Sequence, residues 1–137
     1  MNRMSIDGAS AGDPGPSGIG ILLVFDNGQT EEFRYHIGLH NNHEAEFEAF
    51  IVALTIAKQK QLGHLLVQTD SRLVSEAIEK RYVKRKQFDP YVKKAQELIE
   101  AFDLFFIKWV PSKQNKKADK LARLAIREPK RIFKEAL

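Results

Sequence analysis

Cysteine does not occur in this sequence. Its absence excludes disulfide cross-links and thiolate metal sites, and it fits a reducing, cytoplasmic setting. Long apolar runs are missing as well. The longest, Ile19 to Phe25 and Ala49 to Leu54, fall far short of the roughly 20 residues that cross a bilayer. The opening Met1-Asn2-Arg3-Met4-Ser5 carries no secretory apolar stretch, so no membrane partner is expected. Neither an internal repeat nor a flexible linker divides the 137 residues. One domain, 1–137, with a tail over 128–137, is therefore expected, as a monomer. Histidine is sparse: His36, His40, His43 and His64 are scattered, without the paired spacing of a zinc site.

What is present is a normal core composition, 43% hydrophobic, with a net charge of +4 and a pI near 9.3. A modest basic excess favours nucleic acid or another anionic partner, although a solvated basic surface gives the same number.

Along the chain, Met4 to Asp7 reads as a short strand, and the nearly all-apolar Ile19 to Phe25 as a central one. Asp26-Asn27-Gly28-Gln29 predicts a tight hairpin with positive φ at Asn27 and Gly28. Beyond it Phe33, Tyr35 and Ile37 alternate with Glu32, Arg34 and His36, the pattern of a strand with one wet face. A helix is expected from His43 to Gln61, ended by Gly63. At 100° per residue it places Glu46 with Ala49, Phe50, Ala53 and Ala57, and Glu44, Glu48, Thr55 and Gln59 opposite. Leu65 to Thr69 reads as a strand parallel to the first, and Ser71 to Glu79 as a short helix capped by Asp70 or Ser71. After the basic run Lys80 to Lys86, Tyr91, Ala95, Leu98 and Phe102 mark an amphipathic helix. Leu104 to Val110 is a last strand, and Lys116 to Arg127 a last helix with Ala118, Leu121, Ala122 and Ala125 inward. The tail residues Ile132, Phe133 and Leu137 are expected to dock on the domain. The order β-β-β-α-β-α-α-β-α predicts a mixed sheet, antiparallel first and parallel later, flanked by helices.

Four acids stand out in that layout. Asp7 follows the first strand and opens a glycine-rich loop, Asp70 ends a strand, Glu46 faces inward on its helix, and Asp119 lies in the first turn of the last helix. Each has a bland explanation: a turn at Asp7-Gly8, an N-cap at Asp70, a helix-dipole partner at Asp119. Glu46 resists one, because a carboxylate facing a core needs a donor or a cation. Carboxylate oxygens suit Mg²⁺ or Mn²⁺. Two such ions about 4 Å apart can stabilise both the attacking and the leaving oxygen of a phosphodiester without a nucleophilic side chain.

These residues lie in segments that resemble ribonuclease HI. The segments are Ile6-Asp7-Gly8-Ala9-Ser10 with Asp13-Pro14-Gly15-Pro16-Ser17-Gly18, Asn41-Asn42-His43-Glu44-Ala45-Glu46, Thr69-Asp70-Ser71, Trp109-Val110-Pro111, and Asn115 to Ala122. They run from about Met4 to Ile126 in the family's order. The resemblance implies a five-stranded α/β ribonuclease H-like fold. It also implies hydrolysis of the RNA strand of RNA/DNA hybrids, with two Mg²⁺ on Asp7, Glu46, Asp70 and Asp119. The products would carry 5′-phosphate and 3′-hydroxyl ends. Gly8, Ala9 and Ser10, by their backbone N–H groups, and Asn42, Ser71 and Arg72 are then expected at the hybrid. Asn42 reads equally well as a helix cap. Lys84, Arg85 and Lys86, interleaved with Tyr82 and Phe88, are expected to meet phosphates, or else to form a solvated loop.

The chain also departs from the family. No histidine lies between Trp109 and Asp119, Asp13 replaces a usual Asn, and His43 and Arg72 stand where amides are common. The long basic handle of some members is missing, and Lys80 to Lys86 is a short substitute. These departures bear on rate and hybrid specificity more than on fold. They leave two other classes in play: a non-catalytic nucleic-acid-binding module, and a related nuclease acting on DNA or structured RNA.

Overall fold

The computed structural model describes residues 1–134. Five strands form one sheet: β1 (Asn2–Ser10), β2 (Gly15–Val24), β3 (Thr30–His40), β4 (His64–Thr69) and β5 (Leu104–Trp109). The helices are α1 (Asn42–Gln59), α2 (Arg72–Lys80), α3 (Asp89–Ile99) and α4 (Lys116–Ile126). The strand order is β3-β2-β1-β4-β5. The first three strands pair antiparallel, and β4 joins β1, and β5 joins β4, in parallel. The expected element order and the mixed sheet are both present.

The first strand differs from expectation in a way that matters. β1 does not stop at Asp7 but runs on to Ser10, because Gly8, Ala9 and Ser10 pair with Ile19, Gly18 and Ser17 of β2. Asp7 is therefore a mid-strand residue opposite Gly20. It still reaches an opening, since the parallel pairing with β4 ends at Ile6–Thr69. β1 also takes the middle of the sheet, with β2 interior beside it.

Turn chemistry accounts for two further corrections. Only Gly28 of the Asn27-Gly28 pair has positive φ, and the Gly28 N–H donates to the Phe25 carbonyl at 2.9 Å. The hairpin is thus a three-residue loop with glycine at its bulge, not a two-residue turn. Helix α1 ends at Gln59, not Gln61. Gln61 takes the left-handed position (φ 57), while Leu62 N–H bonds Ala57 O and Gln61 N–H bonds Lys58 O. That double bond closes the helix without Gly63. Its start is fixed by Asn41 and Glu44, which cap each other's backbone at 2.8 and 2.9 Å. The cap is therefore Asn41, and Asn42 is not one.

Helix α1 packs between the sheet and α3, so its far side is partly covered: Gln59 is exposed and Glu44 and Glu48 are half-buried. Thr55, expected outward, is buried and donates to the Ile51 carbonyl. Glu48 accepts from the Tyr91 hydroxyl at 3.2 Å. Phe47 stacks between Phe88 and Tyr91, with ring centroids 5.2 and 5.4 Å away. Phe88 is fully buried, so it is a core residue and not a platform for bases. Removing a ring so placed costs about 3–5 kcal/mol.

The other sheet face is covered by α4 and the chain after it. Arg34, read as a wet-face residue, forms a two-pronged pair with Glu128 at 2.6 and 3.1 Å. His36 N–H donates to Arg131 O at 2.7 Å, and Phe133 meets Tyr35 edge-on at 5.2 Å. The tail docks on β3 through Phe133, whereas Ile132 is exposed and Leu137 lies outside the described residues.

Both helix layers come unusually close to the sheet at glycine. A Cβ on Gly8 would collide with the Ala45 carbonyl, and one on Gly20 with the Ala118 carbonyl. Gly8→Ala should therefore lift α1 from β1 and lower stability by about 3 kcal/mol or more. Urea denaturation measures this, and an unchanged midpoint would show that the approach is not needed.

Candidate active site

Asp7 projects from β1 toward the face that Gly20 leaves open for α4, since directly paired residues share a face. The close seat of Ala118 over Gly20 brings the next residue, Asp119, beside Asp7. Glu46 arrives from the other layer, one residue beyond the Ala45 carbonyl that sits against Gly8. Asp70 follows Thr69 where β4 ends. Its backbone carbonyl accepts from Trp109 Nε1 at 3.1 Å. Ser71, not Asp70, caps α2, by accepting from Val74 N–H, which leaves the Asp70 carboxylate to the cleft.

Asp7, Glu46 and Asp70 each offer an oxygen within 4.8 Å of the others. Asp119 lines the same cleft, of about 430 Å³, but both its oxygens lie 3.1 Å from Arg123 Nε. Asp7 is buried, and burial is the main reason its pKa is pushed up to about 9, with the charges of Asp70, Asp119 and Glu46 adding to it. Burial also lifts Glu46 to about 7, opposed by the Ser71 hydroxyl and reinforced by Asp70. Among the described residues no Lys or Arg forms an ion pair with Asp7, Glu46 or Asp70, and the His43 ring lies beside Glu46, Nδ1 to Oε2 3.9 Å. The cluster thus lacks an internal counter-charge. Oxygen-only donors at this spacing fit a hard divalent cation and not zinc.

The expected substrate residues divide into two groups. Gly8, Ala9 and Asn42 border the cleft. The remainder do not line it, and several are already engaged. Gly8 N–H donates to Asp7 Oδ1 at 3.0 Å, and Ser10 N–H to Asn42 Oδ1 at 2.9 Å, so neither backbone donor is open to a ligand. The Ser10 hydroxyl holds the loop through Gly12 O and His40 O. Ser71 is a cap. The Arg72 guanidinium sits over the Trp109 ring, its Cζ 3.9 Å from the ring centroid. Lys84, Arg85 and Lys86 are exposed in the α2–α3 connection, outside the cleft, with Arg85 5.0 Å from the Phe88 ring.

Sequence reasoning missed Asn115, Lys116 and Arg123. Asn115 is buried, and its Nδ2 donates to Ile6 O at 2.8 Å, tying the start of α4 to the strand residue before Asp7. Lys116 and Arg123 line the cleft. Both lie at helical spacing from Asp119, three residues before and four after, a signal the sequence did contain.

Comparison with known proteins assigns the chain to a family. Residues 5–125 match the family described as reverse transcriptase-like. The chain is 39% identical to a putative hydrolase, EbsB, of Enterococcus faecalis, over 93% of this chain and 96% of that protein. It is 35% identical to a ribonuclease HI of Halobacterium salinarum, over 88% of this chain. The crystal structure of RNase H1 from Halobacterium salinarum superposes with a TM-score of 0.87 at 32% identity, covering 93% of this chain and 98% of that one. The chain belongs to the ribonuclease HI family. An RNase H1 isolated from compost, LC11, crystallised with an RNA/DNA hybrid, gives 0.84 at 27% identity, with 93% and 98% covered. This chain spans nearly all of the enterococcal relative but 61% of the halobacterial ribonuclease HI sequence. No helix among the described residues is long and apolar enough to cross a membrane.

The raised carboxyls carry a pH signature. Asp7 ionises near 3.8 when unconstrained and near 9 in the fold, so between those values the native state keeps a proton that the unfolded state has lost. Metal-free stability should accordingly fall as pH rises from about 5 to 9. Asp7→Asn should flatten that decline, and so should saturating Mg²⁺. Thermal melts in chelator across this range test it, and a flat wild-type profile would contradict it.

Proposed function

We propose that this protein hydrolyses the RNA strand of RNA/DNA hybrids, leaving 5′-phosphate and 3′-hydroxyl ends, with two Mg²⁺ or Mn²⁺ ions held by Asp7, Glu46, Asp70 and Asp119. The observation that carries the proposal is the uncompensated oxygen cluster of Asp7, Glu46 and Asp70 in a cleft that Asp119 also lines. The family membership supports the substrate. When bound, the ions would supply an activated water and neutralise charge at the departing oxygen.

The chain's own residues do the positioning. Asp7 and Asp70 are fixed by strand register and by the Trp109 bond to the Asp70 carbonyl. Glu46 and Asp119 are carried in from opposite layers. Asp119, also the partner of Arg123, would share its carboxylate between that guanidinium and a bound cation. Asn42 and Ala9 border the cleft, where they would meet the 2′-hydroxyls of the wide minor groove that distinguish RNA from DNA. Cytoplasmic location is part of the proposal and rests on the cysteine-free composition.

The assay is cleavage of labelled RNA/DNA hybrid, double-stranded RNA, double-stranded DNA and single strands, in Mg²⁺ or Mn²⁺. Hybrid should be cut and the others spared. Cleavage of a different duplex would favour the related-nuclease reading, and binding of hybrid without cleavage the binding-module one. Asp7→Asn and Asp70→Asn should each lower the cleavage rate by at least ~10²–10³-fold, as losing one group that stabilises transition-state charge does. Hybrid binding and the melting temperature should survive.

Lys84→Gln, Arg85→Gln and Lys86→Gln together should raise KM for hybrid and reduce its salt dependence while leaving kcat unchanged. An unaltered KM at low salt would make this run a solvated loop.

A further inference from the structure

Helix α4, with its C-cap Arg127, carries more unbalanced charge than any other element. Between Lys116 and Arg127 stand five cations and one acid, an excess equal to the +4 of the whole chain. Four of the cations, Lys116, Lys120, Arg123 and Arg127, recur at steps of four, three and four. At 100° per residue these fall within one narrow stripe, opposite the buried Ala118, Leu121, Ala122 and Ala125. Ordinary solvated helices balance such charge, as in α3, where Lys93 pairs with Asp89 at 3.0 Å and Glu97 follows. On α4 the off-stripe Lys117 is neutralised by Glu32 at 3.0 Å. The stripe's one acid, Asp119, is held by Arg123. Lys116, Lys120 and Arg127 form no ion pair among the described residues.

The stripe is also continuous with the carboxylate cleft. Lys116 and Arg123 line the cleft itself. A neighbouring hollow of about 390 Å³ shares Asp119 and Arg123 with it and is completed by Lys120, Leu124 and Arg127. Leu124, exposed in this hollow, offers an apolar surface between the cations, as a sugar edge requires.

We propose that this face of α4 is a phosphate track, along which one strand of the nucleic acid runs out of the carboxylate cleft. The proposal rests on the nuclease reading for the identity of the polyanion, and extends it to a binding surface outside the cleft. From Lys116 to the C-cap Arg127 the stripe extends about 16 Å, at 1.5 Å per residue, long enough to meet more than one phosphate of a single strand. The cations hold backbone and read no bases, so the track adds affinity without sequence preference.

Binding of a fluorescent RNA/DNA hybrid of about 20 base pairs, measured by anisotropy in chelator over a range of KCl, tests the track without cleavage. Replacing Lys116, Lys120 and Arg127 together by Gln should lower the slope of log affinity against log salt by about 2–3, near 0.9 for each phosphate that is no longer neutralised. Lys120→Glu should weaken binding more than Lys120→Gln, and Lys120→Arg should restore it. A matched triple, Arg3→Gln, Lys58→Gln and Lys60→Gln, changes the net charge equally elsewhere and should leave the slope in place. Melting curves report folding for every variant. An unchanged slope in the α4 triple, or an equal loss in the matched triple, would overturn the track. If the wild type binds no hybrid at any salt, both the track and the nuclease reading fall. If the slope drops as expected but the wild type never cuts hybrid, the track stands and the catalytic reading alone falls.

Discussion

Places where helix backbone rests on sheet backbone, at Gly8, Gly18 and Gly20, hold the rest of this structure in register. At Gly8 the turn of α1 that contains Ala45 and Glu46 sits where a β-carbon would be, and at Gly20 the turn of α4 that contains Ala118 does the same. Each approach fixes the height of a helix over the sheet to within the thickness of a methyl group. The acids concerned, Glu46 and Asp119, directly follow the touching residues in sequence. Asp7 is adjacent to Gly8 along the strand and opposite Gly20 across it. One pair of close approaches thus positions three of the four carboxylates. Interiors packed at this density transmit such a constraint rather than absorb it.

The arrangement works against the stability of the metal-free fold. Asp7 and Glu46 are drawn into a poorly solvated site where burial, reinforced by neighbouring carboxylates, raises their pKa values to about 9 and about 7. Only the protonated forms are at ease there until a cation arrives. Most of the surrounding hydrogen bonds tie down backbone: Asn115 Nδ2 donates to Ile6 O, Trp109 Nε1 to Asp70 O, and Val74 N–H to the Ser71 hydroxyl, while Gly8 N–H reaches the Asp7 carboxylate. A frame held by backbone bonds keeps its shape whether or not the carboxylates are ionised, which is what a cation site requires.

Positive charge is distributed to complement this. No Lys or Arg pairs with Asp7, Glu46 or Asp70 at the floor of the cleft among the described residues, and the cations are concentrated along its rim on α4. A polyanion crossing the rim meets cations first and the carboxylates only at the centre. Cations at the floor would neutralise the carboxylates, whereas at the rim they act on the ligand. The Lys84–Lys86 run stands apart from both, on the connection between α2 and α3.

The strand and helix sequence, the mixed sheet and the four acids were legible from periodicity and spacing alone, because alternation along β3 and the 3.6-residue recurrence in α4 are local properties of the chain. Local chemistry also narrowed the cap of α2 to Asp70 or Ser71. Other features depended on partners distant in sequence. The extension of β1 through Ser10 required β2 as its mate. The burial of Phe88 and Thr55 required α3 and α1 to pack together, and the left-handed turn at Gln61 required Leu62 to bond back to Ala57. Ser10 and Arg72, plausible ligand residues in sequence, are committed to Asn42 and Trp109 in the fold. The sequence by itself determined which groups could do chemistry and on which elements they ride. Only the tertiary structure decided which of them meet, because convergence rests on register between strands and on the missing side chains of Gly8 and Gly20, neither of which leaves a periodic trace in the chain.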